Sequence, residues 1–504
     1  MASTIPDPLP GARAARGAAM SSSPPGPAQA RPTAGVPAPA AAERAGRIEA
    51  HGIDHIPDEE RHGHPRELFS VWAAANVNYL SLVIGGALVL MGLSLWQSLA
   101  VIVVGNLFWV LPGLLATSGP AAGAPSEVIT RAMYGVVGNR VNQAIGGWMV
   151  SVCYFALNLA AAGAAAFALA ERAGITAGIG VKIVLVVLIA ALTLAISVYG
   201  HAMIVKLYLP ITVVLAAAFA VVAFAVVGRT DFSYRPAQPL TGTALWAVLI
   251  AGTTMIAAGP LSYTTSADFS RYLPRTTSRR AIAGWTACGA FLPSVVVCSL
   301  GAFAATAVDM TDPQTGLEAL LPGWFYPVFL LALVLGTIAI NALTAYSAGL
   351  ALQAVGIRIR RSVSVLVDGV VSVALTLYGL LASGLLDTVS NALQLTVVLV
   401  GPLMAVYAVD IVLRRGRYDG VALSDETPRS PYWYTGGINW AGAVAALTGV
   451  AAAALCVDTL YAGPVAAALG GVDLSLPVGM AVAAVLYAAL MRRSRTVLAA
   501  RAQA

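Results

Sequence analysis

Long apolar stretches, each close to the roughly 20 residues that an α-helix needs to cross a bilayer, recur along the whole chain and govern what it can fold into. They lie at about 70–94, 95–117, 142–170, 180–200, 203–228, 244–267, 281–307, 323–352, 362–386, 388–413, 437–460 and 474–491. These runs are too long and too uniformly apolar for the alternating strands of an outer-membrane barrel. In lipid the backbone polar groups must be satisfied within the spanning element, so the elements are helices. Of the 504 residues, 58% are hydrophobic and only 10% charged, where a soluble domain carries about 25% charged residues. The expected fold class is an all-α polytopic membrane protein of about 12 transmembrane helices.

The net charge of +6 does not indicate a nucleic-acid partner, because the basic residues sit in short clusters between the apolar runs. The clusters report orientation instead. With the N-terminus inside, 25 of the 29 Lys and Arg fall on the inner side, among them Arg131, Arg140, Arg271, Arg358, Arg361, Arg414 and Arg429. Only Arg172, Lys182, Arg229 and Arg235 fall outside. The positive-inside rule then places both termini in the cytoplasm of a bacterial inner membrane. It also supports the span count, since one helix more or fewer would throw every later cluster to the wrong side.

Residues 1–65 are rich in Ala, Pro, Gly, Ser and Arg and contain no apolar run, which reads as a disordered N-terminal tail. No cleavable signal peptide is expected there, so the first span should serve as its own insertion signal. The remaining chain divides into spans 1–5 (66–230), spans 6–10 (231–415), a cytoplasmic loop (416–436), spans 11 and 12 (437–492) and a C-terminal tail (493–504). Cys153, Cys288, Cys298 and Cys456 lie in apolar runs without C-x-x-C spacing. They read as small core residues, not as a disulfide framework or a metal site.

A transport site needs polar groups at mid-membrane, commonly supplied where a helix breaks. In the first span, Asn76-Val77-Asn78 is followed by Gly85-Gly86, two amides and two helix-weakening glycines within one crossing. In the sixth, Gly252-Thr253-Thr254 leads to Gly259-Pro260-Leu261-Ser262-Tyr263, where Pro260 has no N–H to continue the helix. The two spans hold matching places in two halves of five helices. An odd number of helices inverts one half relative to the other, the arrangement of an alternating-access site at a repeat interface. Gly and Pro are also common in membrane helices that merely kink.

The third span carries Tyr154 and Asn158 four residues apart, on one helix face. An aromatic plate beside an amide suits a planar heterocycle, which stacks by its face and hydrogen-bonds by its edge; a packed Tyr and an interhelical Asn would give the same pattern. In the eighth span, Asn341 and Thr344 are placed to face the same cavity, or equally to bond neighbouring helices. Asp268 and Asp410 stand near Arg271 and near Arg414 and Arg415, as gate or anchoring pairs, while Asp368 lies deep in the ninth span and is the proton-relay candidate.

Several motifs together resemble the purine and cytosine permeases of the nucleobase cation symporter family. They are Gly-Leu-Ser94-Leu-Trp-Gln-Ser-Leu, Val-Gly105-Asn106, Gly119-Pro120-Ala-Ala-Gly123-Ala-Pro125 and Arg131-Ala-Met-Tyr-Gly135, with Ala-Asp268-Phe-Ser-Arg271-Tyr272-Leu-Pro274, Tyr346-Ser-Ala-Gly and Val-Asp410-Ile-Val-Leu-Arg-Arg-Gly-Arg-Tyr418-Asp419. The resemblance runs from about residue 66 to the C-terminus. It implies the leucine-transporter-like fold, a 5+5 inverted repeat plus two peripheral helices, with substrate between spans 1, 3, 6 and 8.

Carried onto this sequence, the family's stacking aromatic of the third span, usually Trp, falls on Tyr154, and its ring-edge amide on Asn158. Asn78 matches the first-span side chain near the substrate. The second aromatic falls on Tyr263, with Gly259 or Ser262 as alternative holders of that place. Sodium-coupled relatives bind the ion with first-span carbonyls, here Ala74 and Val77, and with eighth-span hydroxyls, whose positions here are Ile338 and Ala339. A hard cation prefers oxygen ligands, so the loss of those hydroxyls favours co-transport of H+ over Na+.

The expected function is import of cytosine or a purine by cation symport. Another heterocycle (allantoin, hydantoin or a thiamine-like compound) or an amino acid on the same fold is the alternative. No cofactor is expected, and the partners are the heterocyclic substrate and the lipid bilayer, with no nucleic acid; oligomeric state is not legible. An enzyme is disfavoured, since no H-E-x-x-H, nucleophile elbow or intramembrane His–carboxylate cluster occurs.

Overall fold

The computed structural model describes residues 46–382, 385–459 and 461–503. The long helices are α1 (Glu67–Asn76), α2 (Tyr79–Leu90), α3 (Leu95–Ala122), α4 (Val136–Arg172), α5 (Ile179–Tyr199), α6 (His201–Val227) and α7 (Gly242–Ser262). They continue with α8 (Arg279–Ala305), α9 (Tyr326–Ala354), α10 (Arg361–Ala382), α11 (Leu385–Arg414), α12 (Trp440–Cys456) and α13 (Ser475–Gln503). Local chemistry sets several of their starts. Asn78 caps α2, Ser94 and Gln97 form a capping box on α3, and Asn439 caps α12.

Ten described helices are long and apolar enough to cross a membrane, eleven when α1 and α2, bent by 56° at Val77–Asn78, count as one span. The expected eleventh span, 437–460, is the 17-residue helix α12, at the lower edge of spanning length. The geometry therefore stops at eleven where the sequence reading expects twelve.

Packing partners repeat with an offset of five spans. α1 packs on α6 as α7 packs on α11, α2 packs on α8 as α3 packs on α7, and α4 packs on α10 as α5 packs on α9. α4 and α9, which exchange under the same offset, pack on each other. This pairing is that of the 5+5 inverted repeat, with α12 and α13 lying on each other and on α11. Position in the repeat decides exposure. The most apolar stretch of α9 is 72% buried and those of α5 and α6 only 22%, so α9 is the central post and α5 and α6 form the rim.

Two expectations change here. Gly85 and Gly86 do not weaken α2, which runs unbroken through both. They admit α8, because a side-chain carbon at Gly85 would overlap the Cys298 carbonyl and one at Gly301 the Leu82 carbonyl, the close backbone approach that small residues allow between membrane helices. Nor are residues 46–65 a free tail. They lie on the arginine-rich face, held by Ile56 N–H to Gly123 O (2.8 Å), His62 N–H to Tyr272 O (2.6 Å) and Arg61 to Pro120 O (2.9 Å). Residues 1–45 lie outside the described residues. At the other end, residues 493–503 continue α13 where a tail was expected. Among the cysteines, Cys298 and Cys456 are buried and Cys153 half-buried, but Cys288 is exposed.

Candidate functional site

The break of the first span is built by one amide. α1 ends at Asn76, Val77 leaves helical geometry, and Asn78 enters α2 in extended conformation. The Asn78 Nδ2 donates to Ala75 O (2.8 Å) while its Oδ1 accepts from Ser81 N–H (3.0 Å). One side chain thus satisfies groups on both broken ends, replacing the helical bonds lost at the bend.

The sixth span interrupts differently. α7 continues through Pro260 and stops at Ser262, so the break falls at Tyr263–Thr265 and not at the proline. The Ser262 hydroxyl donates to Gly259 O (2.7 Å) and Tyr263 N–H to Pro260 O (3.2 Å). Tyr263 then turns into an aromatic group with Trp72 (ring centroids 4.9 Å apart) and Trp109 (5.5 Å), which Phe269 joins against Trp72 (5.6 Å).

Between these interruptions lies a cavity walled by both broken spans and by α4. Asn78, Tyr154, Asn158, Gly259, Ser262, Tyr263 and Thr344 all line it. Asn341 does not. Its amide donates to Phe155 O (3.0 Å), tying α9 to α4, the helix-bonding alternative for that residue. Tyr154 donates its hydroxyl to Ala258 O (3.0 Å), so the group that distinguishes Tyr from Trp clamps α4 to α7. Asn158 is 2% exposed and makes no hydrogen bond among the described residues. Its amide is open to the cavity one turn from the Tyr154 ring.

Sequence reasoning missed Trp109, Ser347 and Thr265, which also line the cavity. Trp109 comes from the second span, at a short 3-10 turn inside α3, and its indole N–H has no partner. Nothing in its local sequence marks it.

Below the aromatic group the arginine-rich face is closed by a residue read as tail. Glu49, its side chain 1% exposed, pairs with Arg271 (2.9 Å) and Arg361 (3.5 Å). It also accepts from the hydroxyls of Tyr272 (2.7 Å) and Tyr346 (2.8 Å) and from His201 N–H (2.9 Å). Burial pushes the Glu49 carboxyl up, but Arg361 and Arg271, with the His201 and Tyr272 bonds, outweigh it and hold it below the ordinary carboxylate value. A signal was present. At residue 48 the Ala/Pro composition gives way to Ile48, Ile53 and Ile56 interleaved with charges.

This arrangement overturns the expected Asp268–Arg271 pair. The ion pair of Arg271 is with Glu49, and Asp268 instead accepts from Ser126 N–H (2.8 Å) and the Ser347 hydroxyl (2.7 Å). Asp410 does anchor Arg414 (2.8 Å), with Tyr418 (2.9 Å) and Tyr487 (2.7 Å) completing its bonds. Of the ion-site positions, Ala74 is fully buried in α1 and the Val77 carbonyl lies against Gly336 of α9. The Ala339 carbonyl takes the Tyr208 hydroxyl (2.5 Å). Asp368 is fully buried on α10, with neither carboxylate oxygen partnered among the described residues.

Comparison with known proteins agrees with this geometry. The Bacillus subtilis (strain 168) protein YxlA, whose name assigns it to the purine-cytosine permeases, is 26% identical over 457 residues, 88% of this chain and 96% of that one. Among solved structures, Mhp1, a nucleobase-cation-symport-1 family transporter in a closed conformation with bromovinylhydantoin bound, superposes with a TM-score of 0.73 at 18% identity, covering 88% of this chain and 96% of that one. Its inward-facing conformation gives 0.68 at 18% identity, over 90% and 96%. A family model described as permease for cytosine/purines, uracil, thiamine, allantoin matches residues 55–479, and the chain belongs to that family of membrane permeases.

Proposed function

We propose that this permease imports a nucleobase, cytosine or a purine, by symport with a proton across a bacterial inner membrane, with twelve spans and both termini in the cytoplasm. The observation that carries the substrate class is Asn158, an unpartnered amide facing a cavity beside the Tyr154 ring. Tyr154 and Trp109 supply faces for a planar ring, and Asn158 reads its edge. The substrate named for YxlA points the same way.

Proton coupling rests on the apolar side chains Ile338 and Ala339 at the expected hydroxyl positions of a sodium site. Arginines on the Glu49 side of the protein support a cytoplasmic assignment for that face. An amino acid is disfavoured, because Asn78 already occupies the Ser81 N–H at the break that a carboxylate would need.

A second heterocycle class, hydantoin or allantoin, has one observation behind it: Tyr154 offers a smaller face than Trp. Competition of labelled cytosine uptake by adenine, guanine, uracil, allantoin, hydantoin, thiamine and amino acids, in vesicles with imposed proton or sodium gradients, tests the reading. Saturable uptake of a base driven by the proton gradient is expected. Absence of saturable heterocycle uptake overturns it.

A further inference from the structure

Next to the substrate cavity lies a second, smaller one, lined by Glu127, Thr130, Tyr134, Asn142, Thr265 and Tyr407. Thr265 belongs to both linings. Glu127 sits on the four-residue helix Ser126–Ile129, between α3 and α4, and is fully buried. Neither of its carboxylate oxygens meets an N–H or O–H donor among the described residues, and the Tyr134 hydroxyl and Asn142 Oδ1 on the same lining also lack partners. Its neighbour is the second carboxylate, Asp268, itself fully buried with two hydrogen bonds from Ser126 and Ser347.

No cation forms an ion pair with either carboxylate among the described residues, although the Arg271 charge reaches both and works against their protonation. Arg271, the nearest, is committed to Glu49, and Arg131 turns away to Glu426 (2.6 Å) and Leu423 O (2.9 Å). The groups facing the pair from the packed elements are hydroxyls: Ser347 from α9, Tyr407 from α11, which bonds Ser118 (2.9 Å), and Tyr134. Tyr346, one residue before Ser347, bonds Glu49. Two adjacent carboxylates, both fully buried and neither ion-paired, repel each other and lose their hydration, which outweighs the more distant Arg271 charge, so they share one proton. A proton on Glu127 makes it a donor to Asp268, which gives the unpartnered Glu127 a hydrogen bond and fills a free acceptor site on Asp268.

We propose that Glu127 and Asp268 bind the coupling proton, and that Ser347 links its occupancy to the substrate cavity. Ser347 lines that cavity and donates to Asp268 at 2.7 Å, so a substrate that recruits the Ser347 hydroxyl withdraws one bond from the carboxylate and alters its hold on the proton. Burial first, and the Asp268 charge second, push the Glu127 carboxyl well above its ordinary value against the opposing charge of Arg271. This site is distinct from Asp368 on α10, and it rests on the proton-coupled reading above.

The experiment pairs transport with infrared spectroscopy. In proteoliposomes under an inward gradient of about one pH unit, one proton per substrate sustains roughly tenfold accumulation of the base. Glu127→Gln is expected to bring that ratio to about one and to abolish substrate-driven proton flux, and Glu127→Asp to restore part of both. Independently of any substrate, the wild-type protein should show a protonated-carboxyl carbonyl band at neutral pH that Glu127→Gln removes and that fades as the pH is raised. Undiminished proton-driven accumulation in Glu127→Gln overturns the proposal. So does loss of coupling in Asp368→Asn but not in Glu127→Gln, coupling that follows sodium at every pH, or a wild-type spectrum without the band. A wild-type protein that transports no heterocycle overturns the proposed function instead, and loss of the band in Glu127→Gln but not in Asp368→Asn still decides whether the pair holds a proton. Should Glu127→Gln fail to fold, the pH titration of the band in Asp368→Asn, which removes the other buried carboxyl unpartnered among the described residues, gives the answer: a band that persists there supports the pair and its absence overturns the proposal.

Discussion

Asn78 and Asn158 line the same cavity from different spans, with identical side-chain chemistry and opposite commitments. Asn78 spends its donor on Ala75 O and its acceptor on Ser81 N–H, so it holds the bend of the first span together. Asn158 sits inside the continuous α-helical part of α4, Val150–Arg172, away from any break, and its amide is spent on nothing among the described residues. An amide at a helix break is drawn into repairing the break, because orphan backbone groups in a membrane cost more than a solvated side chain. An amide on an intact helix is left over for a ligand. The polar residue that marks an interruption is thus part of the frame, and recognition falls to the neighbouring span.

The comparison can be broken in several ways. The largest effect is expected at Tyr154, the plate beside Asn158. Tyr154→Ala should abolish uptake while the protein still reaches the membrane, and Tyr154→Trp should retain transport. Normal uptake by the Ala variant, measured with labelled base, would remove the stacking role.

Asn158→Ala should weaken substrate binding by about 1 to 3 kcal/mol, the cost of leaving a ligand polar edge unpaired, with no loss of thermal stability because no internal bond is removed. Asn78→Ala should do the reverse first, lowering stability by about 0.5 to 2 kcal/mol as a lost cap, read as a fall in the melting temperature of the detergent-solubilised protein. If Asn78→Ala weakens binding at unchanged stability, the division between frame and recognition fails. The smallest effect belongs to Tyr154→Phe, which loses only the hydroxyl bond to Ala258 O, about 0.5 to 1.5 kcal/mol, seen as a modest fall in uptake with the substrate ranking unchanged.

Much of this was legible early, and unevenly. The apolar periodicity located nearly every long helix, and the Asn76-Val77-Asn78 interruption fell where the first span bends by 56°. The same reasoning misplaced the sixth interruption. Pro260 removes one N–H, but α7 carries on to Ser262, since a membrane helix can lose one bond when neighbouring elements pack around the gap. Asn341 and Asn158 look alike in sequence, and only their neighbours separate them: Phe155 O stands opposite Asn341. The Asp268–Arg271 pair was inferred from proximity along the chain. It failed because Arg271 prefers Glu49, 222 positions away in sequence and equally buried.

By itself the sequence determined that the chain is a bundle of membrane helices, where those helices fall, and which family it resembles, because hydrophobic length and local helix-breaking chemistry act over a few residues. Tertiary structure alone decided which amide is free, that Trp109 joins the cavity wall, that Glu49 closes the arginine-rich face, and that Glu127 meets Asp268. Each of these depends on a partner far away in the chain. In a buried, low-dielectric interior a polar group's role is set by the group it meets or fails to meet.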